Sequence, residues 1–309
     1  MFARLSSAIA VVLSAALLFA CSANAEKPAN TKAVLWKIEN TKSAPSWVLA
    51  TVNTPDGHNV EFKPEVEPAL QQSKYIGTEY YNDMNSSIQL AQAMLSKEPG
   101  LKAALGDERY GKLLPLLAAR GYPEKVAAKL QSWAAVMLLF TPAQGKDSDG
   151  KENIPMDEYV FQYATETNKP YFAIESIEQQ LAPFQKIPVN HQLALIDGMI
   201  GNQPALQAAH KENMQAYLAS DIEPIAPMAQ IEKIALPKTE QAWFNTWRTE
   251  FKNQRNKVIV ERLKPALSKG EVFFTVGADQ LSGSDGLLVA LRAAGYTVSP
   301  VQAGKAEAK

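Results

Sequence analysis

The sequence is poor in the side chains that most often carry covalent or metal chemistry. Its 309 residues include one cysteine, Cys21, and three histidines. A single cysteine forms no internal disulfide, so a small fold stapled by disulfides is excluded. Lysine and arginine (31) nearly balance aspartate and glutamate (32), which gives a formal net charge of -1. Because phosphate-backbone binding requires a basic surface, we expect no nucleic-acid partner.

Long apolar runs are also lacking beyond the beginning of the chain. After residue 25 no stretch approaches the roughly 20 apolar residues of a membrane-spanning helix. The first segment combines Arg4, an apolar run over 8–20 and the small-residue site Ala23-Asn24-Ala25. This arrangement predicts a signal peptide over 1–25, cleaved before Glu26.

Cys21 leaves a second interpretation of this segment open. Leu18-Phe19-Ala20-Cys21 looks like the lipobox of bacterial lipoproteins, in which cleavage precedes the cysteine and the cysteine carries the lipid. The expected location is therefore the periplasm or the exterior, or else the outer membrane through a lipid anchor at Cys21. A polar leader over 26–32 precedes the folded part, and the tail over 302–309 is expected to be disordered.

The remaining chain, 33–301, alternates apolar runs typical of strands with helical periodicity. Strands are predicted at 33–39, 46–53, 74–79, 170–175, 271–277 and 296–301. The intervals between the strands have helical periodicity, most of it over 84–140 and 188–268. Ser176 and Gln179 have the spacing of a capping box. Ser284 is the expected N-cap of a helix that ends at Gly295. The fold class is α/β or α+β, with a mixed β-sheet flanked by helices and large helical insertions.

Four polar residues stand where apolar strands end: Asn53, Glu79, Glu175 and Gln280. Loops converge at the carboxyl edge of open α/β sheets, so these residues form one candidate site. The alternative explanation is that strand ends are polar because the loops that follow them are exposed to solvent. Arg255 joins the candidate site because its planar fork of donors suits carboxylates. Tyr80 follows Glu79 directly and is expected to line the site.

Other routes to chemistry have weaker support in the sequence. His58 lies five residues after Asn53 and is better explained as a solvated turn residue than as a metal ligand. His191 and His210 lie in segments predicted to be helical and do not have the paired spacing of metal ligands. A serine triad has no support either, because the sequence lacks both an activating base and a Gly-x-Ser-x-Gly turn. Core packing explains one aromatic cluster better than a carbohydrate platform does; its members are Trp243, Phe244, Trp247 and Phe251.

Several blocks of the sequence resemble one protein family in unbroken order. They are LWKIE, a strand ending in ATVN, KPEVEPALQQSKYIGTEYY, MDEYVFQYATETNKPYFAIESIEQQLAPFQKIP, QRNKVIVERL and VGADQLSGSDGLLVALRAAGYTVSPV. These blocks look like the TraB/GumN family, relatives of the Tiki proteins, over about residues 33–301. The resemblance implies a fold distantly similar to erythromycin-esterase-like proteins and, for the Tiki branch, a divalent-metal-dependent protease.

The resemblance also shows where this chain departs from the Tiki pattern. That branch uses a Gly-x-x-His motif, an acidic residue after the next strand and a second histidine near the end. In the corresponding blocks stand Asn53, Glu79 and Gln280, so the acidic residue is present and both histidines are missing. A carboxamide is a much weaker ligand for Zn, Mn or Co than an imidazole is.

Two functional hypotheses follow from this departure. In the first, the site is degenerate and metal-poor, no cofactor is expected, and the protein binds a peptide, a glycan or another envelope ligand without turnover. In the second, the protein is an active hydrolase. Glu79 and Glu175 then act as ligands or as an acid/base pair, and Asn53 and Gln280 supply oxygen ligands to a divalent metal such as Mn, Co, Mg or Ca.

Overall fold

The computed structural model describes residues 32–52, 62–81, 83–96, 100–143, 155–225 and 235–302. Several of the expectations above fall outside these residues: the signal peptide with Cys21, the polar leader, Asn53, His58 and the tail from residue 303. The described part is a six-stranded sheet with helices around it, which confirms the mixed α/β class.

The strands form one sheet in the order β4-β3-β5-β2-β1-β6. Their bounds are β1 Leu35–Glu39, β2 Ser46–Thr51, β3 Tyr75–Thr78, β4 Tyr171–Ala173, β5 Val272–Gly277 and β6 Thr297–Val301. The strands β4, β3, β5 and β2 are parallel to one another, whereas β1 is antiparallel to both β2 and β6. Every residue of β2 is buried, as expected of a central strand covered on both faces.

The helices are more numerous than the strands, and several are short. Their bounds are α1 Val66–Gln72, α2 Met84–Met94, α3 Leu101–Leu105, α4 Asp107–Ala118, α5 Glu124–Ala127, α6 Ser132–Phe140, α7 Met156–Glu166, α8 Ile177–Gln185, α9 Val189–Gly201, α10 Gln203–Leu218, α11 Lys238–Lys269, α12 Ala278–Leu281 and α13 Leu287–Ala293. No helix among the described residues combines the length and apolarity needed to cross a membrane.

Two separate hydrophobic cores explain how the large helical insertions fold. The sheet core includes Trp36 and Phe273, and the helical core includes Leu113 and Trp133. Helix α11 contributes to both, through Phe244 to the helical core and through Leu263 to the sheet core. The middle of α11 therefore lies where the two cores meet.

The strand order creates a crevice at one edge of the sheet. The connection after β3 leads to β4 on one side, and the connection after β5 leads to β6 on the other side. Because β3 and β5 are adjacent and parallel, their carboxyl ends form a topological switch point, where ligands bind in open α/β sheets.

Two local expectations are confirmed or corrected by the turns around this edge. The capping box forms: Ser176 Oγ accepts from the Gln179 N–H, and the Gln179 side chain accepts from the Ser176 N–H at 2.9 Å. Ser284 is not an N-cap, because α13 begins only at Leu287 after Gly286. The intervening loop folds back on α12 so closely that a Cβ on Gly286 would lie 2.2 Å from the Leu281 carbonyl oxygen.

Candidate functional site

Glu79 and Glu175 lie side by side at the carboxyl edge of the sheet. Glu79 follows β3 directly, and Glu175 lies two residues beyond β4. The Glu175 N–H donates to the Glu79 carbonyl oxygen at 2.7 Å, so the backbone pairing continues past the ends of the two strands. Both residues are buried, with 8% and 4% of their surfaces exposed. Two carboxylates in such surroundings require compensating charge or hydrogen bonds.

Arg255 supplies that compensating charge from the middle of α11. Its Nε and Nη2 lie 2.7 and 2.6 Å from Glu175 Oε2, and Nη2 also lies 3.2 Å from Glu79 Oε1. The backbone N–H of Gly277, at the end of β5, donates to the same Glu79 oxygen at 3.2 Å. We call Glu79, Glu175 and Arg255 the carboxylate–arginine cluster.

The charge of Arg255 is fixed by its partners. Burial by itself lowers the pKa of this guanidinium, but the charges of Glu79 and Glu175 and the hydrogen bond to Glu175 outweigh burial, so the pKa is raised. The guanidinium also lies over the ring of Phe251, 5.9 Å from its centroid. Arg255 is therefore a permanent cation between two carboxylates.

Asp279 adds a third carboxyl group to this edge of the sheet. A Cβ placed on Gly277 would lie 2.6 Å from Asp279 Oδ1 and 3.9 Å from Glu79 Oε1, so the two acids are close neighbours. Burial and then the charge of Glu79 raise the pKa of Asp279, although Arg255 and Lys252 act in the opposite direction. Asp279 was not among the candidate site residues that the sequence indicated.

Gln280 lies in a neighbouring polar network. Its side-chain nitrogen donates to Asn256 Oδ1 at 2.6 Å and to the Lys252 carbonyl oxygen at 3.4 Å. Lys252 in turn donates to the Ser282 carbonyl oxygen at 2.8 Å and pairs with Asp285 at 2.9 Å. These contacts hold α12 and the following loop against α11. The role of Gln280 in ligand binding stays a prediction, since the contacts described here are with α11.

Tyr80 faces the helical core, although it follows Glu79 in the chain. Its side chain packs against that core, and burial, followed by the charges of Asp157 and Glu79, raises the pKa of Tyr80. Asp157, at the beginning of α7, is itself only 3% exposed. No signal in the sequence indicated this buried acid, because one Asp in a first helical turn usually signals only favourable helix electrostatics.

The two histidines of the described helices have interactions of their own. His191 Nδ1 lies 2.6 Å from Glu240 Oε2, and its ring stacks on Trp243 at 4.0 Å. For His210, burial and then the charge of Arg120 lower the pKa to about 4. His191 and His210 are both half-buried, as expected for boundary residues of helices.

A divalent cation bound between the two glutamates would have to compete with Arg255. A metal ion needs free carboxylate oxygens, and Arg255 already contacts one oxygen of each glutamate at 2.6 and 3.2 Å. A second cation placed there would be repelled by the guanidinium. Among the residues that the structure describes, no group of three or more His, Cys, Asp or Glu is arranged to hold a metal ion.

Comparison with known proteins gives the chain its family. The sequence model of the TraB/PrgY/gumN family matches residues 34–300. The chain belongs to this family. The match to the TraB/PrgY/gumN model begins just before β1 and ends within β6, so it includes the carboxylate–arginine cluster and both cores. It confirms the family resemblance found in the sequence. No curated protein and no solved structure matches the chain.

Proposed function

We propose that this TraB/PrgY/gumN protein is exported to the bacterial envelope and binds a polar ligand at the carboxylate–arginine cluster, without a bound metal and without turnover. One observation carries the proposal: Arg255 contacts both Glu79 and Glu175 with its guanidinium. A site whose cation is a protein side chain presents both donors and acceptors to a ligand. Export is supported by the signal-like composition of residues 1–25.

The same contacts argue against acid/base work by the two glutamates. A general base must offer a free lone pair to the proton that it abstracts. Glu79 and Glu175 instead share a guanidinium, and Glu79 also accepts the N–H of Gly277. A buried pair of this kind is hard to break, because separation leaves an uncompensated charge. The cluster is therefore better suited to recognition than to catalysis.

Metal analysis of the mature protein tests this proposal. Residues 26–309 are equilibrated with Mn, Co, Zn, Ca and Mg, dialysed and analysed by native mass spectrometry and elemental analysis. We expect well below one equivalent of any metal per chain. The Arg255→Met variant is measured in parallel, because removal of the guanidinium frees both carboxylates and is expected to increase divalent-cation binding. One tightly held equivalent in the wild type would overturn the metal-free site.

The same samples distinguish the two possible amino termini. Intact mass spectrometry of protein purified from a bacterial envelope reports either a free amino terminus at Glu26 or a lipid-modified Cys21. We expect Glu26. A mass with a lipid on Cys21 would change the anchoring of the protein and leave the ligand site as proposed.

A second candidate function, hydrolysis, is favoured by Asp279. Its pKa is raised by burial and by the charge of Glu79, and a carboxyl group with a raised pKa beside a second carboxyl group is an arrangement used for acid/base catalysis. Digestion of a fluorogenic peptide library by the wild type, the Glu79→Gln variant and the Asp279→Asn variant tests it. Cleavage that both substitutions abolish would establish the hydrolase, whereas no cleavage supports binding alone.

A further inference from the structure

A groove between two helices opens directly onto the carboxylate–arginine cluster. It has a volume of about 380 Å³, within the usual size of small-molecule sites. Gln179 and Pro183 of α8, with Lys186 directly after it, line one side, and Trp247, Phe251 and Gln254 of α11 line the other. We call it the α8–α11 groove. The lining side chains of Glu175 and Arg255 are only 3% and 14% exposed, so they mark its inner end.

The charges in the groove balance each other. Glu175 and Glu250 are acidic, and Lys186 and Arg255 are basic. A ligand with a large net charge of either sign would meet repulsion from half of these groups. Charge complementarity therefore favours an uncharged ligand.

The walls of the groove are helices, which limits the available hydrogen-bonding groups. Backbone N–H groups inside α8 and α11 are used within the helices, so an extended peptide would leave its own main chain largely unpaired. Pro183 lies inside α8 and has no N–H, so the carbonyl of Gln179 lacks its usual donor and can accept a bond from a ligand. The side-chain oxygen of Gln179 already accepts from the Ser176 N–H, so Gln179 supplies only its Nε2 donors, whereas the side-chain amide of Gln254 supplies both donors and an acceptor.

Aromatic rings form the apolar part of the groove. Trp247 and Phe251 lie parallel, with an interplanar angle of 10° and ring centroids 5.5 Å apart. Both are half-buried, whereas Phe244 on the same helix is fully buried in the helical core. The expected core packing is confirmed for Trp243, Phe244 and Trp247, which belong to the helical core or pack against it. Trp247 and Phe251 also line the groove, and apolar ring surface of this kind suits the C–H groups of a ligand.

We propose that the α8–α11 groove binds a short uncharged oligosaccharide, whose hydroxyl groups bond to the side-chain Nε2 of Gln179 and to the amide of Gln254 and whose C–H faces pack against Trp247 and Phe251. This inference rests on the proposed function, because the inner end of the groove is the carboxylate–arginine cluster. Sugar hydroxyls both donate and accept, which matches the amides, the freed carbonyl and the paired charges. Its modest volume limits the bound part to a few sugar rings.

Titration of the mature protein with defined probes tests the proposal. Chitotriose, cellotriose and maltotriose are compared with the tripeptide Ala-Ala-Ala by isothermal calorimetry. We expect saturable binding of at least one trisaccharide and none of the tripeptide. Binding should weaken at least about tenfold, equal to about 1.4 kcal/mol, in Trp247→Ala and in Gln254→Ala. The matched control Asn253→Ala lies on the same helix, is exposed and is outside the groove lining, so it should bind as the wild type does.

Each other outcome of this experiment contradicts a stated claim. Binding of the tripeptide but of no trisaccharide, or of no probe at all, overturns the saccharide proposal. If Gln254→Ala leaves trisaccharide binding unchanged but Arg255→Gln weakens it, the ligand site of the proposed function is retained and the groove is rejected. Binding that neither substitution weakens rejects both. Because Gln254 is exposed, Gln254→Ala is expected to fold, and it tests the proposal even if Trp247→Ala does not fold.

Discussion

At the scale of single residues, Arg255 determines the character of the site. Two carboxylates that are almost excluded from water would strongly disfavour folding without a counter-ion, because desolvation of a charge is expensive. The guanidinium resolves this by contacting both acids at once from α11. A ligand at this site must therefore join or displace the ion pairs of Arg255.

Replacement of this cation is expected to destabilise the fold strongly. Arg255→Met leaves Glu79 and Glu175 facing each other without compensation, which should lower the free energy of unfolding by about 3–5 kcal/mol at pH 7. Urea denaturation at pH 7 and pH 4 measures it, and the loss should shrink at pH 4 because protonated carboxyl groups carry no stranded charge. Lys257→Met, on an exposed face two residues away, should change stability by less than about 0.5 kcal/mol. Equal effects for the two variants would contradict a charge-specific role.

Asp279 gives a prediction of opposite sign. Because burial and the charge of Glu79 raise its pKa in the folded state, the folded protein holds this proton more tightly than the unfolded chain does. Stability from this group is therefore greatest below the unfolded pKa and is lost as pH rises through the raised folded pKa. Asp279→Asn keeps an acceptor oxygen but never ionises, so we expect a higher melting temperature than the wild type at pH 7. Near pH 3 the difference should vanish, and an unchanged difference across this range would contradict the assignment.

At the scale of secondary-structure elements, the turn between β4 and α8 positions the site. Ser176 caps α8 immediately after Glu175, and α8 then buries Ile177 and Leu181 in the helical core. The cap fixes the direction in which the chain leaves the sheet. The position of Glu175 beside Arg255 therefore depends on a short polar motif as well as on strand pairing.

Loss of this cap should weaken both stability and the site. Ser176→Ala removes the acceptor for the Gln179 N–H and is expected to lower the free energy of unfolding by about 1 kcal/mol. Chemical denaturation measures it, with Ser87→Ala in α2 as an exposed control that does not cap its helix. The control should change stability by less than about 0.5 kcal/mol. A Ser176→Ala variant as stable as the control would show that the capping box contributes little.

Local signals in the sequence predicted most elements but not every boundary. The apolar runs located all six strands, and the Ser176–Gln179 spacing correctly predicted a cap. The prediction of Ser284 as an N-cap was wrong because a tertiary contact, the close packing of Gly286 against α12, decides where α13 begins. Strand ends likewise indicated Glu79 and Glu175, whereas the direction of the Gln280 side chain depended on Asn256, which is distant in the sequence.

At the scale of the whole molecule, α11 connects two cores that the sequence could not separate. Its 32 residues span about 48 Å at 1.5 Å per residue, and they contribute Phe244 to one core and Leu263 to the other. Arg255 lies between these two positions on the helix. Because the site draws Glu79 and Glu175 from the sheet edge and Arg255 from α11, its geometry requires both cores to be in place.

This arrangement predicts that a destabilising substitution in one core also increases local opening in the other core. Phe244→Ala should lower stability by about 3–5 kcal/mol through the cavity that it leaves in the helical core. If α11 couples the cores, hydrogen exchange measured by mass spectrometry should accelerate in β5 as well as in α4 and α6. Leu263→Ala, in the sheet core, should accelerate exchange in the same three elements. If exchange accelerates only in the core that carries the substitution, the two cores open independently. The glutamates and the arginine of the carboxylate–arginine cluster would then separate before the protein unfolds globally.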